Sequence, residues 1–155
     1  MTPNHLSSTL QSHHNWLITT HKGPDGDAVG SVIAWAAYAQ QCGKDYQIIF
    51  PDQPAAYLCP FLESYHWEVF SLEKKYAGDL LFALDYNTAS RVGEEMSAWF
   101  ENQTLTKVMI DHHLAGRSIA EDVGHRAQLL PGAGIEHHHH IGRCGREPLG
   151  GGLAT

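Results

Sequence analysis

Ile18-Thr19-Thr20-His21-Lys22-Gly23-Pro24-Asp25-Gly26-Asp27-Ala28-Val29-Gly30-Ser31 passes from a β-prone run, through a turn of glycine and proline, into the start of a helix. Its first residues complete an apolar segment, Trp16 to Thr20, that reads as a buried strand. Beyond the turn, Val29, Val32, Ile33, Ala36 and Ala37 recur at helical spacing. Asp27 is placed to cap that helix, and Gly43 can end it in a left-handed conformation. Strand, turn and helix in this order are the first half of a βαβ unit.

Three further segments read as strands of the same kind: Tyr46 to Phe50, Leu80 to Leu84 and Lys107 to Ile110. Strand starts lie about 30 residues apart, which leaves room for a crossover helix between parallel strands. The expected fold class is therefore α/β, with an open, mainly parallel sheet and flanking helices. Val92, Met96, Trp99 and Phe100 form a second helical stripe after the third strand, and an amphipathic turn or helix is expected around Leu6 to His14. Pro51 to Leu72, with prolines at 51, 54 and 60, gives no assignment. After Gly116 no strand or helix pattern is visible, and the glycines at 132, 134, 142, 145 and 150 to 152 leave order there doubtful.

The three chemistry-bearing segments all fall where these strands end. His21, Asp25 and Asp27 follow the first, Asp85 follows the third, and Asp111-His112-His113 closes the fourth. Ligands of open parallel sheets bind beyond the carboxyl ends of the strands, so the three segments are expected to converge. Several carboxylates gathered in one partly dry cleft repel one another and cost several kcal/mol each unless cations compensate. Oxygen donors with a minority of imidazoles and no thiolate favour Mn²⁺, with Mg²⁺, Fe²⁺, Co²⁺ or Zn²⁺ as alternatives. Five or more candidate ligands exceed the need of one ion, and a shared carboxylate could bridge two ions roughly 3.5–4 Å apart, the arrangement that suits phosphoryl hydrolysis by an activated hydroxide.

Composition narrows the partners. A net charge of −7 argues against a broad basic face for duplex nucleic acid. No apolar run approaches the ~20 residues of a membrane-spanning helix, and the start of the chain lacks the apolar core of a secretory signal, so a cytoplasmic address is expected. Cys42, Cys59 and Cys144 have no metal-binding spacing and read as packing residues. The run His137 to His140 reads as a solvated stretch, and Trp16, Trp35, Trp67 and Trp99 as core or cover residues rather than a base-stacking platform. The glycines at 23, 26 and 30 form neither a dinucleotide fingerprint nor a Walker loop.

His21-x-x-x-Asp25-x-Asp27 with Ala28 and Gly30-Ser31, Leu84-Asp85 with Ser90-Arg91-Val92-Gly93, and Asp111-His112-His113 together resemble the first three motifs of the DHH phosphoesterases. The nearest subgroup by resemblance is the oligoribonuclease and 3′-phosphoadenosine-5′-phosphate phosphatase type, similar to RecJ-like exonucleases in its catalytic domain. The resemblance spans about Leu17 to His113 and implies a Rossmann-like catalytic domain. It implies that His21, Asp25 and Asp85 hold one divalent cation and Asp27, Asp85 and His112 the other. His113 would contact substrate phosphate, Asp111 would serve as a catalytic or supporting group that orients a neighbouring histidine, and Arg91 would clamp a phosphate or form a surface ion pair.

The family's fourth motif and its C-terminal substrate-binding domain are not recognisable. Asp122 is the one acid placed to replace the fourth-motif ligand, in a context, Ala120 to Gly124, that does not match. The expected organisation is a partial catalytic domain over 1–116, incomplete at its C-terminus, and a Gly- and His-rich tail over 117–155 that is truncated or frame-shifted. Two functions follow. One is a Mn²⁺-dependent hydrolase of short single-stranded oligonucleotides or small phosphonucleotides. The other is an inactive metal-binding fragment of such an enzyme. A homodimer is compatible with either.

Overall fold

The computed structural model describes residues 3–112 and a strand at 126–128. In chain order the elements are α1 (Pro3–Ser12), β1 (Asn15–Thr20), α2 (Gly26–Gln41), β2 (Asp45–Phe50), α3 (Cys59–Leu62), β3 (Trp67–Val69), β4 (Leu80–Leu84), α4 (Glu94–Asn102), β5 (Thr106–Asp111) and β6 (Arg126–Gln128), with a 3₁₀ turn at Ala89–Val92 before α4. The strands form one sheet in the order β3-β2-β1-β4-β5-β6, and every pairing is parallel. The chain lays down β1, β2 and β3 outward in one direction, then returns to place β4, β5 and β6 on the other side of β1. The reversal falls between β1 and β4, where open α/β sheets leave a crevice for ligands.

Both faces of the sheet are covered, which is why four of its strands are nearly continuous apolar runs. On one face Ile48, Ile18, Phe82 and Val108 are in register across β2, β1, β4 and β5, and each is wholly buried. Val29, Val32, Ala36 and Ala39 of α2 pack on them, together with Leu58 and Leu62 around α3. Leu17, Ile49, Leu81, Ala83 and Met109 point to the other face, where Met96 and Phe100 of α4 cover them. Each fully buried large side chain contributes roughly 1.5–3 kcal/mol, so the strand alternation alone explains why α2 and α4 lie on opposite faces. The tryptophans belong to this packing: Trp35 stacks on Phe82 at 4.4 Å, Trp16 lies 5.2 Å from Phe82, Trp67 meets Phe50 edge-on at 5.8 Å and Trp99 packs on Tyr76 at 5.4 Å. Among the described residues no helix is long and apolar enough to cross a membrane.

The register of β1 against β4 is fixed at the end of the sheet far from the candidate site. The Asp79 carboxylate accepts the His14 and Asn15 amides at 2.8 and 2.9 Å, and the Asp79 amide donates back to the Asn15 carbonyl at 2.9 Å. Gly78 permits this approach, because a Cβ there would lie 2.6 Å from Leu17 Cγ.

Three expectations need correction. A strand, β3, lies in the proline-rich stretch left unassigned, and another, β6, lies beyond Gly116 where no pattern was visible. The helix after β1 is capped by Asp25, not Asp27. Asp25 has an extended backbone, with φ −92° and ψ −170°, and its side chain accepts the Asp27 and Ala28 amides, so the helix begins at Gly26 and Asp27 lies in its first turn. The expected end at Gly43 is found, with φ +65° just past the Cys42 cap.

Candidate metal centre

Register delivers the site. Thr20 pairs with Leu84 and Leu84 with Ile110, so the next residues, His21, Asp85 and Asp111, emerge side by side from β1, β4 and β5. Thr20 strengthens this alignment, its buried hydroxyl donating to the Leu84 carbonyl at 2.8 Å. Asp85 then donates its amide to the Ile110 carbonyl at 2.9 Å. Among the described residues it is the one non-glycine with positive φ, at +64°. That conformation ends β4. It costs an L-residue roughly 1–2 kcal/mol, less for an aspartate, and such strain persists where the surroundings hold it and is concentrated at functional sites.

The turn from β1 into α2 carries the other ligands. Gly23, at φ +63°, supplies the left-handed step that Pro24 could not. The Lys22 amide donates to the Arg91 carbonyl at 2.7 Å, and the Gly23 amide donates to the Asp52 carboxylate at 2.8 Å, so the turn is tied to the segments after β4 and after β2. Asp25 caps α2 through Oδ1, with both accepted amides at 3.1 Å. A carboxylate has about four acceptor positions, so capping is compatible with ligation. Asp27 stands one helical step further on and is exposed.

Two groups of potential ligands result, His21 with Asp25 and Asp85, and Asp27 with Asp85 and His112; in each, one donor atom per residue lies within 4.8 Å of the others. Asp85 belongs to both. Its Oδ2 is 3.5 Å from His21 Nε2 and its Oδ1 is 3.2 Å from His112 Nε2, so each oxygen faces a different imidazole. His112 Nε2 also lies 3.4 Å from Asp27 Oδ2. The Asp85 side chain is 5% exposed, whereas those of Asp27 and His112 are 64% and 63% exposed, so the centre has a buried floor and one open wall.

The donor chemistry fits divalent cations. His21 Nδ1 lies 2.9 Å from the Lys22 carbonyl, which can only accept, so Nδ1 carries a proton and Nε2 is turned toward Asp85. Metal-binding histidines are commonly oriented in this way. An imidazole nitrogen and a carboxylate oxygen held this close are favourably placed about positive charge. Oxygen and imidazole donors without thiolate suit hard or borderline divalent ions.

Of the residues expected from sequence, His21, Asp25, Asp27, Asp85 and His112 are brought together. Asp111 is 8% exposed and, with Ser31, lines the same cleft of about 200 Å³, but it is in neither ligand group. Arg91 reaches the site through its carbonyl, while its side chain is exposed and does not line that cleft. His113 and Asp122 lie outside the described residues. Sequence reasoning missed Thr20 and Asp52. A threonine in a strand is ordinary, and nothing in Pro51 to Pro54 signals that its acid reaches back to the turn.

The family model described as "DHH family, N-terminal domain" matches residues 15–130, most of the chain and every ligand named above. No curated protein matches it.

Proposed function

Starting from the premise that this chain belongs to the DHH family of phosphoesterases, we propose that it is a two-cation hydrolase of short single-stranded oligonucleotides or small phosphonucleotides. The observation that carries this reading is Asp85, a single buried carboxylate that presents one oxygen to each ligand group. In the proposal His21, Asp25 and Asp85 hold one cation and Asp27, Asp85 and His112 the other. Mn²⁺ is the proposed ion, given a donor set rich in oxygen with one imidazole per group.

Cations held by these residues would supply a more acidic water as nucleophile and positive charge to offset that on the phosphoryl oxygens. The remaining work falls to the chain. The Lys22 carbonyl holds His21 in the tautomer that presents Nε2. Asp25 caps the start of α2, the helix that carries Asp27. Asp111, at the cleft wall, orients a neighbouring histidine, while His113 contacts substrate phosphate.

Size and charge support the substrate class. A space of about 200 Å³ is below the 300–1,000 Å³ of pockets that enclose a whole drug-sized ligand, so it accommodates a phosphate end and leaves sugar and base outside. A net charge of −7 disfavours a long phosphate backbone on the surface. The test is release of mononucleotide from a dinucleotide, or of phosphate from 3′-phosphoadenosine-5′-phosphate, with and without Mn²⁺. Turnover should require the metal and vanish in Asp85→Ala. Absence of turnover on both substrates at saturating Mn²⁺ would overturn the proposal.

A further inference from the structure

We infer that Asp52, which belongs to neither ligand group, is a positioning residue of the metal centre, acting through the amide of Gly23 on the turn that presents His21 and Asp25. The inference rests on the reading of these residues as cation ligands. Between His21 and Asp25 the two exposed amides of the turn, those of Lys22 and Gly23, are both engaged from outside it. One bond is to a backbone carbonyl, that of Arg91. The other is to the side chain of Asp52, whose Oδ1 accepts the Gly23 amide at 2.8 Å from 29 residues away.

The chemistry favours a positioning role. A carboxylate accepting a backbone amide makes a bond roughly twice as strong as a neutral pair. Pro51 restricts the backbone just before Asp52, and Asp52 itself is half-buried, so the acceptor is held rather than free to follow the turn. Gly23 sits at φ +63°, and without an anchor a glycine samples many alternatives. His21 and Asp25 flank this glycine by two residues on either side, so its conformation sets the distance between them. His112 stands after β5 and does not depend on it, and Asp27 stands on α2, which Val29, Val32, Ala36 and Ala39 hold in the core independently of the turn. Asp52 therefore acts chiefly on the cation position of His21 and Asp25.

Removing a group that orients a ligand typically weakens metal binding 10–100-fold. The experiment is calorimetric titration of Mn²⁺ into the full chain and into Asp52→Asn, Asp52→Glu and Asp52→Ala, with metal-free thermal melts as a check on folding. In the wild-type chain two binding events are expected. Asp52→Ala should weaken one of them 10–100-fold and leave the other within about threefold. Asp52→Asn, whose amide oxygen still accepts the Gly23 amide, should restore most of the loss. Asp52→Glu keeps the charge but displaces the acceptor by a methylene, so it should resemble alanine. Wild-type affinity in all three variants would overturn the inference, as would the reverse order, with Glu intact and Asn as weak as Ala, because charge and not position would then matter. If the wild-type chain binds no cation, the metal reading itself fails, and that result is visible before any variant is compared.

Discussion

Asp85→Asn isolates the shared carboxylate with little disturbance of the fold. Asparagine has nearly the same volume as aspartate and tolerates the left-handed backbone found at this position, φ +64°. In the absence of cations the substitution sheds a buried charge while losing its pairing with His21 and His112, two opposing effects that should leave stability within about 1 kcal/mol. With cations the outcome is different, because Oδ1 and Oδ2 face different ligand groups, 3.2 Å from His112 Nε2 and 3.5 Å from His21 Nε2. An amide offers one neutral oxygen in place of two charged ones, so one cation position loses its ligand and the other keeps only an uncharged one. A ligand at 100 times its dissociation constant stabilises a folded protein by about 2.7 kcal/mol. For a chain of this size each kcal/mol moves the melting temperature by about 2–4 °C, so saturating Mn²⁺ should raise it by roughly 5–10 °C for each cation bound. The assay is thermal melting with and without Mn²⁺. Wild type should show the full rise, Asp85→Asn almost none, and Asp27→Asn an intermediate value, since it touches one group only. A full Mn²⁺-induced rise in Asp85→Asn would refute the bridging role.

Two buried hydroxyls near the site should behave in opposite ways. The Thr20 hydroxyl donates to the Leu84 carbonyl at 2.8 Å, so isosteric Thr20→Val should cost about 1–1.5 kcal/mol in a urea melt, and Thr20→Ser should retain the bond; an unchanged midpoint in Thr20→Val would show that it contributes nothing. Tyr86 is 1% exposed, burial pushes its phenol well up, and its hydroxyl has no hydrogen-bond partner among the described residues. Tyr86→Phe should therefore be neutral or stabilising by about 1 kcal/mol, and a loss of that size instead would show that the hydroxyl is hydrogen-bonded in the folded protein.

The four central strands were legible because both faces of the sheet are buried, and two-sided burial writes itself into sequence as short aliphatic runs. The two strands that were not, β3 and β6, are the edges of the sheet. Each has three residues, and β3 is half-buried with Glu68 at its centre, so neither carries the apolar signal on which the reading depends. The capping error has a similar origin. Asp25 and Asp27 are both good caps by type, and the choice between them is made by the backbone angles of Asp25. The five candidate ligands were legible for the opposite reason: an ionisable residue at the end of an apolar strand has no role in the core. Thr20 and Asp52 were not, since each matters only through a partner 64 or 29 residues away.

The site therefore depends on strand register as much as on its ligands. Side chains alternate across a sheet with a period of two, so a slip of one residue between β1 and β4 would turn the Asp85 side of β4 to the opposite face and separate it from His21. Apolar residues occupy both faces of these strands, and burial alone resists such a slip less than it would in a strand with one polar face. The resistance comes from specific contacts. At the far end of the sheet Asp79 grips the amides of His14 and Asn15, and Gly78 lies against Leu17 at a distance that no side chain would permit. At the near end Thr20 holds Leu84. With both ends of the β1–β4 pair pinned, the three strand termini are held at one level, and a strained aspartate can meet two imidazoles from separate parts of the chain. In physical terms, residues outside both ligand groups decide whether the ones within them can meet.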